Sequence, residues 1–276
     1  MTATRRTALG AAATAAAATL AAPAVHASTQ GRNRKTYVLV HGTYLGGWIW
    51  TPVADRLAAM GHRVYHPSMT GCGDRKHLMA PTVGLDTHAA DVMNLIEWEE
   101  LEPVILLGHS FAGNTVSQVA GRMPERIRNL VFFDALIPTR ERPAAIMPNP
   151  DGTWPQGWID RTKKFIDGYQ MVFWDSYPVD MLIPSSETAI VELLRRRITP
   201  FPAKQWTDRV DFSNGAWEAV SRRTYLQPTE QKHSPSSERM WGPARGPGWD
   251  FAQLPIPRLG MLSKPDLVAD WLATLS

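Results

Sequence analysis

Gly108-His109-Ser110-Phe111-Ala112 stands between an apolar run, Val104-Ile105-Leu106-Leu107, and a helical pattern that continues to about Arg122. A serine flanked by small residues at that junction forms a nucleophile elbow, a strained turn that lifts the hydroxyl above the end of a sheet. The matching chemistry is acyl transfer. A hydroxyl attacks a carbonyl, and backbone N–H groups receive the negative charge that develops on its oxygen. The Phe111 N–H, at a helix start, points its partial positive charge at such an oxyanion. In this architecture a second N–H comes from the loop after the first strand, here Thr43 in His41-Gly42-Thr43-Tyr44. Ala112 replaces the second glycine of the pattern, but it is small and Gly113 follows. His41, His88 and His109 are expected to be structural imidazoles.

Several elements must hold that turn in place. Tyr37-Val38-Leu39-Val40 has the continuous apolar character of a strand buried on both faces. Thr51-Pro52 opens a helix with Val53, Leu57 and Met60 on one face, and Gly61 closes it. Further strands are expected at 62–66, 104–107, 130–133, 224–226 and 250–254. Helices are expected at 86–98, from the elbow to about 122, and from Pro265 onward. Strands alternating with helices specify an α/β fold with a mostly parallel, doubly wound sheet, whose ligands bind at the carboxyl ends of the strands. From Thr139 to about Ser221 that rhythm stops. This stretch is too long for a plain loop and carries one clear helix, 186–197, so it is expected to be an inserted helical cap. The domain plan is a leader at 1–27, a core of 28–138 with 222–276, and a cap at 139–221. Aromatic residues crowd the cap, and Trp158 and Trp174, with Tyr44, are expected to line a pocket for an apolar or aromatic small molecule.

With these residues in hand, the chain resembles the α/β-hydrolase superfamily. It is most similar to small bacterial esterases of the pyrethroid-hydrolase type, and more distantly to plant hydroxynitrile lyases and methylesterases. The segments that carry the resemblance are Val40-His41-Gly42-Thr43, Thr70-Gly71-Cys72-Gly73-Asp74-Arg75, Asp86-Thr87-His88, Leu107-Gly108-His109-Ser110 and Phe133-Asp134-Ala135-Leu136-Ile137-Pro138. The resemblance implies a serine esterase, with a catalytic histidine in a Gly-His pair after the last strand. Here that place reads Pro257-Arg258, and no histidine follows His233. A guanidinium keeps its proton and cannot take one from serine. Three readings stay open. His233 serves as the base, oriented by Asp134 or Glu230. Alternatively, the site is a non-hydrolytic catalyst (a lyase, eliminase or cyclase) in which Arg258 stabilises an anion. Or the chain binds small molecules without turning them over.

The 276 residues are 44% hydrophobic and 20% charged, an ordinary globular composition that excludes disorder and collagen-like repeats. Lys and Arg number 29 against 26 Asp and Glu, and without Arg5 and Arg6 the excess falls to about one, which leaves no basic footprint for nucleic acid. The single cysteine, Cys72, excludes an internal disulfide. No phosphate loop, dinucleotide fingerprint or metal-ligand cluster appears, so no cofactor and no metal are expected. Arg5-Arg6, an Ala-rich run and Val25-His26-Ala27 form a twin-arginine-like secretory signal. The mature chain is then a secreted or periplasmic protein without a membrane anchor. It should begin at Ser28 and appear outside the cytoplasm. Amino-terminal sequencing that returns Met1, or export unchanged by Arg5→Lys with Arg6→Lys, would contradict this.

Overall fold

Six strands pair side by side into one all-parallel sheet in the computed structural model, which describes residues 34–174, 177–230 and 241–276. The strands are β1 (Thr36–Val40), β2 (Arg63–Tyr65), β3 (Val104–His109), β4 (Ile127–Phe133), β7 (Arg223–Pro228) and β8 (Asp250–Leu254). Two short strands, β5 (Gln170–Met171) and β6 (Phe201–Pro202), form a separate antiparallel pair. The main sheet runs β2-β1-β3-β4-β7-β8. The fold class is the one the alternating pattern implies. The leader residues Arg5 and Arg6, the expected mature start Ser28 and the candidate base His233 lie outside the described residues. No helix among the described residues is long and apolar enough to cross a membrane.

Alternate residues of the strands feed two opposite cores, which is why the central strands β1, β3 and β4 are almost wholly buried and apolar. Val38, Val40, Leu106, Leu130 and Phe132 face helices α2 (Leu85–Trp98) and α3 (Ala112–Arg122), meeting Val92, Ile96, Val116 and Val119. Tyr37, Leu39, Ile105, Leu107, Val131 and Phe133 face α1 (Thr51–Ala59) and the final helix, Pro265–Thr274, meeting Val53, Leu57, Val268 and Leu272. Each large aliphatic side chain taken from water there contributes roughly 1.5–3 kcal/mol. The chain leaves β1 toward β2 on one side and returns to β3 on the other. The crevice above the carboxyl ends of β1 and β3 is therefore the switch point where this topology accepts ligands.

Much of the loop motif that carries the resemblance is framework. The two Asp91 carboxylate oxygens accept from the Thr70 backbone N–H at 2.6 Å and from the Thr70 hydroxyl at 2.9 Å. Arg75 adds a bond to Asp91 at 3.1 Å. These contacts bind the loop after β2 to α2. The segment between β4 and β7 holds more than the single helix expected. Besides α5 (Thr188–Arg197) it contains α4 (Gln156–Thr162), a short helix at Lys204–Thr207 and the β5–β6 pair. Two-residue strands and four-residue helices carry no periodicity that a sequence pattern could reveal.

Gly113 is where α3 packs onto the loop after β4. A β-carbon there would sit 1.8 Å from the Leu136 carbonyl oxygen, a backbone atom that cannot step aside. Gly113→Ala should lower unfolding stability by more than about 2 kcal/mol. Gly157→Ala, on α4 with open space around it, should be neutral or slightly stabilising. Equal urea midpoints for the two variants would contradict this packing.

Candidate active site

Ser110 sits one residue past β3 with φ +57°, a left-handed conformation that a non-glycine residue adopts only when its surroundings impose it. The imposing contacts are visible. Its N–H donates to the Phe133 carbonyl at 3.1 Å, and its carbonyl accepts from Leu136 N–H at 2.9 Å. The loop leaving β4 therefore clamps the turn. A β-carbon on Gly108 would meet the Ala112 carbonyl oxygen and Val116 at 2.8 Å, and one on Gly42 would meet the Ser110 β-carbon at 2.8 Å. The close approaches fall at Gly42, Gly108 and Gly113, so the chain tolerates alanine at position 112.

Arg258 follows β8, and one arm of its guanidinium, Nη2, donates to Ser110 Oγ at 2.6 Å. The other arm, Nη1, donates to Asp134 Oδ2 in an ion pair. The Asp134 side chain is 0% exposed and that of Arg258 is 18% exposed. Asp134 has φ +43°, held by a bond from its N–H to the Leu226 carbonyl at 2.9 Å. Ser110, Arg258 and Asp134 thus form one array across the ends of β3, β4 and β8.

The array opens into a cavity of about 310 Å³, within the usual size range for small-molecule sites. Thr43, Tyr44, Ser110, Phe111 and Arg258 all line it. Among the described residues, neither the Thr43 nor the Phe111 N–H donates to a protein acceptor. Tyr44 is left-handed too, at φ +66°, and its carbonyl accepts from Thr199 N–H at 3.0 Å.

The remaining expectations divide. Glu230 is exposed, and its carboxylate pairs with Lys264 outside the cavity. The described partner of Asp134 is Arg258. Trp158 is buried behind the lining, stacked on Trp206 with centroids 6.2 Å apart. Trp174 lies at the surface under the Arg195 guanidinium, 4.8 Å from it. The aromatic rings that line the cavity in their place are Phe173, Tyr177 and Trp206, and Trp206 stacks on Phe111 at 5.4 Å. All three belong to the aromatic-rich stretch visible in the sequence, but only packing decides which rings turn inward. Leu136, Ala145, Met181 and Leu182 also line the site and had no sequence signal.

The three core histidines are framework. His41 accepts from Met69 N–H at Nε2 (3.0 Å), so its proton is on Nδ1, which donates to the Gly42 carbonyl at 2.8 Å. His88 Nε2 donates to the Thr70 carbonyl at 2.9 Å. His109 lies edge-on to Trp50 and Phe133. Burial pulls His41 down to about 4 and His88 down to about 3. Burial, reinforced by the Arg258 charge, holds His109 well below the usual value. All three are neutral at pH 7.

Residues 36–177 match the alpha/beta hydrolase fold family, and the chain belongs to it. Among its relatives is a carbendazim-hydrolysing esterase from Nocardioides sp., 33% identical, with 87% of this chain and 98% of that protein covered. Among solved structures, an extracellular α/β-hydrolase from a Paenibacillus species aligns with a TM-score of 0.71 at 22% identity, covering 87% of this chain and 98% of that one. A pyrethroid hydrolase aligns with a TM-score of 0.63 at 18% identity, covering 87% and 96%. At those identities the structural likeness speaks for the fold.

Neutral buried histidines make stability depend on pH in a defined direction. The unfolded chain protonates them near 6.5, whereas the folded chain resists until about 4 for His41 and about 3 for His88. Their contribution is complete above pH 6.5 and is lost progressively as pH falls toward 4 and then 3. The Tm should fall steadily between pH 6.5 and 4. A Tm that is flat or rising over that interval would contradict the neutral assignment.

Proposed function

We propose that the protein is a serine-dependent hydrolase of carboxylic esters on small apolar or aromatic molecules. The observation that carries this reading is Ser110, held on a left-handed turn in a cavity also lined by Thr43 and Phe111, whose N–H groups meet no protein acceptor among the described residues. The carbendazim-hydrolysing relative supports an ester as substrate. Ser110 Oγ attacks the ester carbonyl while its proton passes to a base, and the Thr43 and Phe111 N–H groups receive the oxyanion. The base returns the proton to the departing alcohol. It then takes one from the water that attacks the acyl-serine, and finally restores it to Ser110.

His233 is our candidate base. It is supported by the chain's course before it: Thr229 and Glu230 N–H groups bond to the Leu254 and Ile256 carbonyls at 2.9 and 3.1 Å, beside the turn that carries Arg258. Arg258 acts as a fixed donor to Oγ and as a positive charge next to the oxyanion. The 139–221 segment serves as the cap that covers the substrate and excludes water. We also propose an extracytoplasmic location. The Arg5-Arg6 pattern and the extracellular structural neighbour support it.

One observation favours a second reading. Arg258 stands where the resemblance puts the histidine and holds both Ser110 and Asp134, and it cannot accept a proton. If no base reaches Ser110, the same cavity belongs to a lyase, an eliminase, a cyclase or a binding protein.

A fluorophosphonate probe with peptide mapping separates the two. In an esterase Ser110 is labelled, and Ser110→Ala lowers kcat on an aryl ester by about 10⁴-fold or more. A wild type that is neither labelled nor active, with both properties appearing in Arg258→His, would replace the esterase reading by the second.

A further inference from the structure

The cavity has a second polar pole, supplied by the inserted segment rather than by the sheet. Tyr177 lines the cavity, and its hydroxyl lies against those of Tyr44 and the Arg161 guanidinium. Arg161 is wedged between two lining rings, with its guanidinium carbon 5.0 Å from the centroid of Tyr177 and 5.0 Å from that of Trp206. Among the described residues no carboxylate pairs with it. Its neighbour Asp160 is taken by Lys163 at 2.8 Å and Gln156 at 2.9 Å. Arg161 Nη1 is buried with no acceptor.

A buried guanidinium N–H without an acceptor is costly unless something completes it. The charge balance says what. At the sheet end, Arg258 is matched by the buried Asp134. At the inserted segment, Arg161 has no matching anion among the described residues. Among the described residues the charge behind the Tyr177 hydroxyl is therefore positive, and it reaches the cavity through that hydroxyl. That phenol feels both guanidinium groups, yet burial keeps its pKa raised, so it stays protonated and acts as a donor.

We propose that Tyr177, backed by Arg161 and Tyr44, is the specificity-determining donor of this site. It selects aromatic or apolar esters that carry a second, anionic group such as a carboxylate. The inference rests on the esterase reading for the name of the reacting bond, and on the charge layout alone for the anion.

The probes are methyl 4-carboxybenzoate, an anion at pH 7, and its neutral counterpart methyl 4-methylbenzoate. Calorimetry on Ser110→Ala protein separates binding from turnover. The anion should bind about ten- to a hundredfold more tightly than the neutral ester, the range expected of a hydrogen bond to a charged group. Adding Arg161→Met, or the conservative Tyr177→Phe, should bring that ratio close to one. Equal affinities in the Ser110→Ala protein, or no binding of either probe, would overturn the inference. So would a preference that survives both substitutions, which would put the carboxylate on Arg258. Wild-type turnover of the two esters tests the other reading separately. Selective binding without hydrolysis leaves the anion pole standing and removes the esterase. Hydrolysis without preference does the reverse.

Discussion

A carboxylate shut away from water must be matched by a cation, and the pairing of Asp134 with Arg258 meets that need at the centre of the site. Such a pair adds little net stability, because desolvation offsets most of the attraction. Breaking it is another matter. Loss of one partner takes away the opposite charge that balances a buried ion, at a cost of about 3–5 kcal/mol. Neither residue can therefore be treated as decoration. The pair joins the exits of β4 and β8, and the second arm of Arg258 extends the link to Ser110. It also sets the sign of the chemistry. A cation that cannot release its proton rests on the serine hydroxyl, so activation of that hydroxyl has to come from elsewhere.

Strain gathers at the same place. Tyr44, Ser110 and Asp134 all have positive φ, and all three follow the carboxyl ends of strands in the sheet. Each such residue costs on the order of 1–3 kcal/mol and persists only where its neighbours over-determine it. The neighbours here are backbone bonds across adjacent strand exits, with Phe133, Leu136 and Leu226, and one with Thr199 between α5 and β6. A rigid parallel sheet buried on both faces can sustain such a cluster. The topological reversal between β1 and β3 leaves the space above it open for a ligand.

The inserted segment contributes a different kind of order. Phe111, Trp206 and Trp158 stack in sequence, with interplanar angles of 19° and 17°, so the turn after Ser110 and the segment between β4 and β7 share one aromatic column. Arg161 lies against that column and against Tyr177. Apolar rings shape the cavity, and a few polar groups around it fix orientation, the division of labour typical of small-molecule sites.

The central strands β1, β3 and β4 were legible in the sequence because parallel strands buried on both faces leave continuous apolar runs, and the flanking strands from their place in the βα alternation. Ser110 was legible because the turn that presents it is local, with tight spacing and small residues. Trp206, Phe173 and Tyr177 line the cavity where Trp158 and Trp174 were expected. An aromatic residue in an irregular insertion carries no period to say which way it points, and packing across distant segments decides. The sequence by itself determined the fold class, the elbow and the arginine at the position where the resemblance expects a histidine. Only the tertiary structure decided what that arginine does. Its carboxylate partner lies 124 residues away and its serine 148 residues away, and contacts that distant exist only once the sheet has brought the strand ends together.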